Sequence, residues 1–241
     1  MSFVRRQIPN FITCLNLLCG CIATVMVFRN HLDWAAYLVF IAAFFDLIDG
    51  MAARALHVSS PIGKELDSLA DVISFGFVPG VIMFKLLQMS ALSEFIESNT
   101  LRQIVQFFPF VIAVFSALRL ANFNIDTRQS DSFIGLPTPA NTLLIVSFPL
   151  MLSQDYTRFS PIVLNPYFIL IVSGIMSWLL VAEIPLFSLK FKSFKLKDNI
   201  FQYILLLLAV VLLPVFLFAA IPIIIFSYVL LSIIQNKTRK Q

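Results

Sequence analysis

Eight apolar segments, each about as long as a membrane-spanning helix, make up most of this chain of 241 residues. An α-helix rises 1.5 Å per residue, so about 20 apolar residues cross a hydrocarbon core of about 30 Å. Only 12% of the residues are charged and 59% are hydrophobic, whereas a soluble domain carries roughly 25% charged residues. The predicted spans are 10–28, 34–56, 67–88, 103–123, 138–153, 165–187, 199–214 and 217–235.

These segments predict an all-α integral membrane protein with about eight transmembrane helices. Helices satisfy their own backbone hydrogen bonds in lipid, and the sequence lacks the alternating segments typical of outer-membrane barrels. The run 200–235 is longer than one span requires, and Pro214 and Pro222 favour a reversal within it. We therefore expect a C-terminal helical hairpin, although its membrane topology stays open from sequence alone.

The basic residues predict the orientation of these spans. With eight spans, four of the 17 Lys and Arg fall on or near one side of the membrane, namely Arg29, Lys85, Arg102 and Arg158. The remainder fall on the other side, which the positive-inside rule assigns to the cytoplasm together with both termini. The net charge of +4 then reflects topology and contact with anionic lipid headgroups, so nucleic acid is not an expected partner.

Four aspartates lie where the second predicted span ends and the third begins, at Asp46, Asp49, Asp67 and Asp71. The first two are three residues apart and the last two are four apart, so each pair shares one helix face. The linker between the spans is short, which makes the two helices antiparallel neighbours. We expect the four carboxylates to face each other near the cytoplasmic surface.

Carboxylates this close repel each other unless a cation lies between them. Oxygen ligands without a nearby Cys or His pair favour Mg²⁺, Mn²⁺ or Ca²⁺ over zinc. Four carboxylates suit two ions, an arrangement that promotes displacement at phosphorus. A cation transporter is the distant alternative, since intramembrane acidic residues also mark ion pathways, but such sites usually lie near the bilayer midplane in repeated, interrupted helices.

Small residues and one arginine accompany the aspartates and complete a longer motif. The spacing over residues 46–71 is D-x2-D-G-x2-A-R-x8-G-x3-D-x3-D. It resembles the signature of the CDP-alcohol phosphatidyltransferases and matches every fixed position. The resemblance implies a metal-dependent enzyme that transfers a phosphatidyl-type group from a CDP-linked lipid to an alcohol and releases CMP. It also implies a six-helix core, here residues 1–190, and a homodimer; residues 191–241 would add a basic interfacial segment and the hairpin.

The resemblance assigns roles residue by residue. Asp46, Asp49 and Asp67 would bind the metals, and Asp71 would be both a shared metal ligand and the general base. The remaining expected contacts to the CDP-lipid are Gly50, Ala53, Arg54, Gly63, Thr13 and Asn16.

Further patches at residues 8–20, 65–76, 117–124 and 135–140 are similar to the membrane-type phosphatidylserine synthases of bacteria and archaea. This similarity implies CDP-diacylglycerol and L-serine as substrates, at the cytoplasmic face of the cell membrane. Arg119, followed by Asn122 and Asn124, could contact the serine carboxylate through its planar guanidinium. Glycerol 3-phosphate, inositol phosphate and choline remain alternative acceptors; the lipid tails, the metal and the number of ions also stay open.

Overall fold

The computed structural model describes residues 3–58, 60–126, 132–187 and 199–239. Its helices are α1 (Phe3–Phe28), α2 (Leu32–Ala55), α3 (Pro61–Met89), α4 (Leu92–Phe95), α5 (Asn99–Ile125), α6 (Thr138–Gln154), α7 (Tyr156–Val163), α8 (Pro166–Val181), α9 (Ile200–Phe216) and α10 (Ala220–Arg239). Two short strands are β1 (Ser132–Ile134) and β2 (Pro185–Phe187). The predicted all-α membrane fold is confirmed.

The first two helices form an antiparallel pair that packs along much of its length. A tight turn joins them, with Asn30 at φ 62° and the His31 N–H donating to Met26 O at 2.9 Å. Small side chains such as Ala23, Ala35 and Ala36 are fully buried and allow the helices to approach closely. Because α1 also contacts α3, its N-terminal half lies beside both helices that carry the aspartates.

A side-chain cap fixes the beginning of α3. Ser60 Oγ accepts a hydrogen bond from the Gly63 N–H at 3.0 Å, and Pro61 occupies the first helical position. Serine at the cap and proline directly after it are both favoured at a helix N-terminus. The start of α3 is therefore specified locally, and with it the place of Asp67 on the second turn.

A π-helical turn, Val72–Phe77, interrupts α3 directly after Asp71. It meets two other helices through hydrogen bonds. Thr142 Oγ1 of α6 donates to Phe75 O at 2.6 Å, and Ser74 Oγ donates to Asn16 O of α1 at 3.0 Å. π-turns are frequent at functional sites, and the sequence motif does not reveal this one.

Helix α6 forms the centre of the bundle, with most of its residues buried. It contacts α2, α3 and α10, while α5 packs on α8 and on the π-turn. These contacts arrange the first six long helical segments around one apolar core. The charged end of α2 and the beginning of α3 lie at one edge of that core.

The predicted sixth span, 165–187, ends earlier as a helix. Helix α8 stops at Val181, and residues 185–187 pair antiparallel with β1, with Ile134 opposite Pro185. Proline cannot continue the helical hydrogen-bond pattern, so an extended segment follows. Gly135 adjoins this pairing at φ +76°, a conformation that glycine adopts readily.

Within the described residues, five helices are long and apolar enough to cross a membrane, or up to six when the bent pair α7 and α8 counts as one span. The count is lower than eight because α6 has only 17 residues and Ile200–Thr238 forms one helical stretch. That stretch breaks at Leu217, which has φ 49° and lies between Pro214 and Pro222. Helices α9 and α10 contact each other across the break, and α10 also packs on α6 and β2. The predicted basic segment at 190–197 lies outside the described residues.

Candidate active site

Three of the four predicted aspartates converge at the junction of α2 and α3. Carboxylate oxygens of Asp46, Asp49 and Asp67 lie within 4.8 Å of one another. Asp49 is only 6% exposed, and Asp67 Oδ1 is buried with no hydrogen-bond partner in the described part of the chain. A buried polar atom without a partner costs stability, so this group of oxygens calls for a ligand with positive charge.

Asp71 lies one helical turn beyond Asp67 and flanks the three converging carboxylates. It is 9% exposed, and its Oδ1 accepts a hydrogen bond from Asn16 Nδ2 at 3.3 Å. It is also close enough to Asp46 and Asp67 to interact with both electrostatically. The structure thus brings all four predicted aspartates into one region, with Asp71 on its inner side.

Two polar residues of helix α1 donate hydrogen bonds to the aspartates of α2 and α3. Thr13 Oγ1 donates to Asp49 Oδ2 at 2.6 Å and lies 3.0 Å from Pro9 O. Both Thr13 and Asn16 are buried, and they lie three residues apart on one face of α1. Two residues expected to contact the CDP-lipid therefore bind carboxylates directly.

This donor set fits a hard divalent cation. The converging ligands are all carboxylate oxygens, which Mg²⁺, Mn²⁺ and Ca²⁺ prefer. One of these oxygens is buried and unpartnered, and the neighbouring carboxylate is oriented by Thr13. Support of this kind is usual around metal ligands.

A cavity of about 270 Å³ opens beside the carboxylates. Its wall contains four of the residues expected to bind the CDP-lipid, which are Thr13, Gly50, Ala53 and Gly63, together with Asp49 and Asp67. Arg54 is exposed at the end of α2, and Asn16 lies deeper against Asp71. The small residues create this space, since larger side chains there would fill it.

Several other residues of the cavity wall have no binding role assigned from the sequence, namely Pro9, Asn10, Val58, Ser60 and Lys64. Ser60 had a recognisable signal, because serine before proline is typical of a helix start. Asn10 is brought to the cavity by the packing of α1 on α3. Its proximity is evident at Gly63, where an added Cβ would lie 2.9 Å from Asn10 Oδ1.

A second cavity, of about 390 Å³, lies at the end of α5. Arg119 and Asn122, two of the three residues expected to bind the acceptor, line it. Asn124, the third expected residue, forms hydrogen bonds with α3 instead. Its Nδ2 donates to Ser68 Oγ at 2.8 Å, and its backbone carbonyl oxygen accepts from Lys64 Nζ at 3.0 Å. Arg119 is close enough to Asp71 to interact with it electrostatically, so the second cavity adjoins the aspartate region.

Comparison with known proteins settles the family. The family model described as CDP-alcohol phosphatidyltransferase matches residues 6–189, which include both cavities and all four aspartates. The chain belongs to the CDP-alcohol phosphatidyltransferase family. Members of this family generally depend on divalent metals, in agreement with the acidic cluster. Family membership also removes the cation transporter from consideration.

Curated relatives within the family carry closely related names. The CDP-diacylglycerol–serine O-phosphatidyltransferase of Bacillus subtilis (strain 168) is 31% identical over 190 residues, covering 79% of this chain and 92% of the relative. The protein of the same name from Methanocaldococcus jannaschii is 33% identical and covers 61% and 64%, respectively. The archaetidylserine synthase of Methanothermobacter thermautotrophicus is 32% identical, covering 61% and 58%. The match thus spans nearly all of the Bacillus relative and less than two thirds of the two archaeal ones.

Proposed function

We propose that this chain is a CDP-diacylglycerol–serine O-phosphatidyltransferase, which forms phosphatidylserine and CMP. The observation that carries the chemistry is the convergence of Asp46, Asp49 and Asp67 beside a cavity walled by small residues. The choice of serine rests on the relatives, of which several act on serine by name. The same chemistry with glycerol 3-phosphate, inositol phosphate or choline is the alternative.

Asp46, Asp49 and Asp67 are proposed to hold the metal, with Asp71 as a shared ligand. Mg²⁺ or Mn²⁺ is the proposed metal, with two ions. Bound there, the ions would neutralise charge on the pyrophosphate of CDP-diacylglycerol and so favour its cleavage. Thr13 keeps one Asp49 oxygen in place, and Asn16 does the same for Asp71.

The cavity beside the aspartates is proposed to take the cytidine nucleotide of the lipid substrate. Gly50, Ala53 and Gly63 leave its wall free of bulky side chains. Arg54 is exposed one turn beyond Gly50, where its charge is available to the pyrophosphate. Positioning and electrostatic stabilisation supply most of the catalysis in transfers at phosphorus.

Asp71 is proposed to accept the proton of the serine hydroxyl. The serine oxygen then bonds to the phosphorus of the phosphatidyl group, while the bond from that phosphorus to the bridging oxygen breaks and CMP leaves with the bonding electrons. Asn16 donates a hydrogen bond to one carboxylate oxygen of Asp71 and so orients this carboxylate beside the proposed metal ligands. Arg119 and Asn122 are proposed to orient the acceptor from the second cavity.

The cellular setting completes the proposal. The basic residues favour a cytoplasmic active site in the cell membrane, with both termini inside. A homodimer is expected from the family resemblance. Reporter fusions at the two termini test the orientation, and the mass of the detergent-solubilised protein tests the dimer.

The activity test measures CMP release by the purified full chain from CDP-diacylglycerol, with Mg²⁺ or Mn²⁺. L-Serine, glycerol 3-phosphate, inositol phosphate and choline are compared as acceptors. We expect release with L-serine and its loss by a factor on the order of 10²–10³ in Asp67→Asn, because one converging carboxylate becomes neutral. Asp33→Asn, at the opposite end of α2, serves as the matched control and is expected to retain activity.

Each outcome distinguishes one part of the proposal. Release with another acceptor would retain the chemistry and replace serine. Release that survives both Asp67→Asn and chelation of divalent metal would remove the carboxylate cluster from the mechanism. No release with any acceptor from folded protein would overturn the proposed activity.

A further inference from the structure

The second cavity holds charges of both signs. Among the residues that line it, Arg119 is basic, whereas Asp126 and Glu183 are acidic. Asn122 adds an amide group to the same wall. Three parts of the chain thus meet there: the end of α5, the end of β1 and the end of α8 with the segment that follows it.

Arg119 gives this cavity a buried cationic group. Its side chain is only 7% exposed, and its Nε has no hydrogen-bond partner among the residues that the structure describes. Its Nη1 lies 3.5 Å from Thr138 Oγ1, and its guanidinium stands 5.5 Å from the centre of the Phe123 ring. A buried guanidinium with an unsatisfied donor is suited to a carboxylate ligand, which it binds through planar, paired contacts.

Glu183 gives the cavity an anionic group on a firmly held backbone. Two backbone hydrogen bonds connect the segment around Glu183 to the residues that follow β1. The Gly135 N–H donates to Ile184 O at 3.0 Å, and the Leu136 N–H donates to Leu179 O at 2.8 Å. The antiparallel pairing of Ile134 with Pro185 adds a further tie. Glu183 itself is exposed, so its carboxylate is accessible to a ligand in the cavity.

These charges match a zwitterion better than a phosphate. An α-amino acid carries one carboxylate and one ammonium group, which Arg119 and Glu183 complement separately. Glycerol 3-phosphate and inositol phosphate carry a phosphate without an ammonium group, and the Glu183 carboxylate would repel that phosphate. The arrangement therefore favours an amino acid over these two phosphate-bearing acceptors.

We propose that Glu183 is a specificity-determining residue that binds the ammonium group of the acceptor, while Arg119 binds its carboxylate. This inference rests on the proposed function, because it takes serine as the acceptor. Arg119 is close enough to Asp71 for an electrostatic interaction, which is compatible with transfer of the hydroxyl proton of the bound amino acid to the proposed base. Neither the motif nor the relatives' names point to Glu183.

The test compares Glu183→Gln and Glu183→Asp in the full-length protein. Loss of a charged hydrogen-bond partner is expected to raise the KM for L-serine about tenfold in Glu183→Gln. Glu183→Asp keeps the charge and is expected to restore much of the affinity. The KM for CDP-diacylglycerol is expected to stay unchanged in both variants. Glu97→Gln, an exposed glutamate in the loop before α5, is the matched control.

Competitive inhibition by two serine fragments tests whether Glu183 contacts the ammonium group of the acceptor. Ethanolamine lacks the carboxylate, and 3-hydroxypropionate lacks the ammonium group. Glu183→Gln is expected to weaken inhibition by ethanolamine and to leave inhibition by 3-hydroxypropionate unchanged.

Three results would overturn the inference. The first is an unchanged KM for serine in Glu183→Gln, and the second is an equal loss in Glu183→Asp, which would indicate a structural role. The third is a lack of serine-dependent CMP release by the unaltered chain, which would remove the proposed function as well. The first two leave serine activity intact in the unaltered chain, so failure of this inference and failure of the proposed function are distinguishable.

Discussion

Thr13 and Asp49, which are 36 residues apart in the sequence, are joined by a hydrogen bond of 2.6 Å between Oγ1 and Oδ2. The bond links α1 to α2 at the point where three carboxylates converge. Thr13, a neutral residue of α1, is therefore part of the acidic site that the aspartates of α2 and α3 form. Because Thr13 orients the Asp49 carboxylate, its removal should lower the affinity of the site for the metal.

Thr13→Val is expected to weaken the apparent affinity for Mg²⁺ or Mn²⁺ by roughly 10–100-fold, because Asp49 loses the donor that orients it. CMP release measured against metal concentration detects the change, with activity recovering at saturating metal. Thr24→Val is the control, since Thr24 lies on the same helix and its hydroxyl donates to the backbone at Gly20 O. An unaltered metal dependence in Thr13→Val would remove the supporting role of Thr13.

Gly63→Ala is expected to impair binding of the CDP-lipid. The added Cβ would lie 2.9 Å from Asn10 Oδ1 and 3.0 Å from Ser60 Oγ, which itself accepts a hydrogen bond from the Gly63 N–H. Moving these side chains away from the new methyl group would take space from the cavity, and a loss of about 1.4 kcal/mol in binding free energy would raise the KM for CDP-diacylglycerol roughly tenfold.

The matched control for that prediction is Gly174→Ala in α8. There an added Cβ would meet Phe108 at 3.8 Å, an ordinary contact distance. We expect its KM for CDP-diacylglycerol to remain that of the unaltered chain. Equal behaviour of the two alanine variants would show that the space at Gly63 is not used by the substrate.

Arg119→Lys is expected to raise the KM for serine by roughly tenfold or more, since an ammonium group lacks the paired donors of the buried guanidinium. The KM for CDP-diacylglycerol should change little, because Arg119 lines the second cavity and not the first. Steady-state kinetics with each substrate varied in turn separate these effects. Arg102→Lys, on the exposed first turns of α5, is the control, and equal KM values in both variants would contradict a role in acceptor binding.

Gly135→Ala is expected to destabilise the wall of the second cavity. The φ of +76° is unfavourable for alanine, and the Cβ would lie 2.5 Å from the backbone oxygen of Leu180. Backbone strain of this kind costs on the order of 1–3 kcal/mol. Thermal unfolding in detergent should show a lower Tm than in Gly80→Ala, whose Cβ would meet its neighbours at 3.5 Å or more. If Gly135→Ala had the same Tm as Gly80→Ala, the backbone around residue 135 would accommodate the methyl group without loss of stability.

Local patterns explain why much of the architecture could be predicted. The lengths of the apolar segments predict the membrane spans, and Ser60 followed by Pro61 predicts where α3 begins. The i, i+3 and i, i+4 spacings place each aspartate pair on one face, and the short linker makes α2 and α3 neighbours. These features depend on residues close together in sequence, so periodicity and capping preferences suffice to find them.

The partners of those residues could not be predicted in the same way. Thr142 binds the π-turn at Phe75 across 67 positions, and Asn16 binds Asp71 across 55. Periodicity tells which face of a helix is polar, but it does not tell which helix will cover that face. The end of α8 at Val181 and the strand pairing beyond it likewise depend on contact with residues 132–134.

A helical membrane protein with four aspartates on two neighbouring helices follows from the amino-acid sequence alone, and the motif over residues 46–71 indicates the family. Those properties follow from composition and from short spacings along the chain. Folding in three dimensions places Thr13 and Asn16 in hydrogen bonds with the aspartates. It also buries Arg119 within electrostatic range of Asp71 and places Glu183 in the same cavity as Arg119. These relationships arise only when distant segments pack together, because the packing of whole helices fixes which side chains meet.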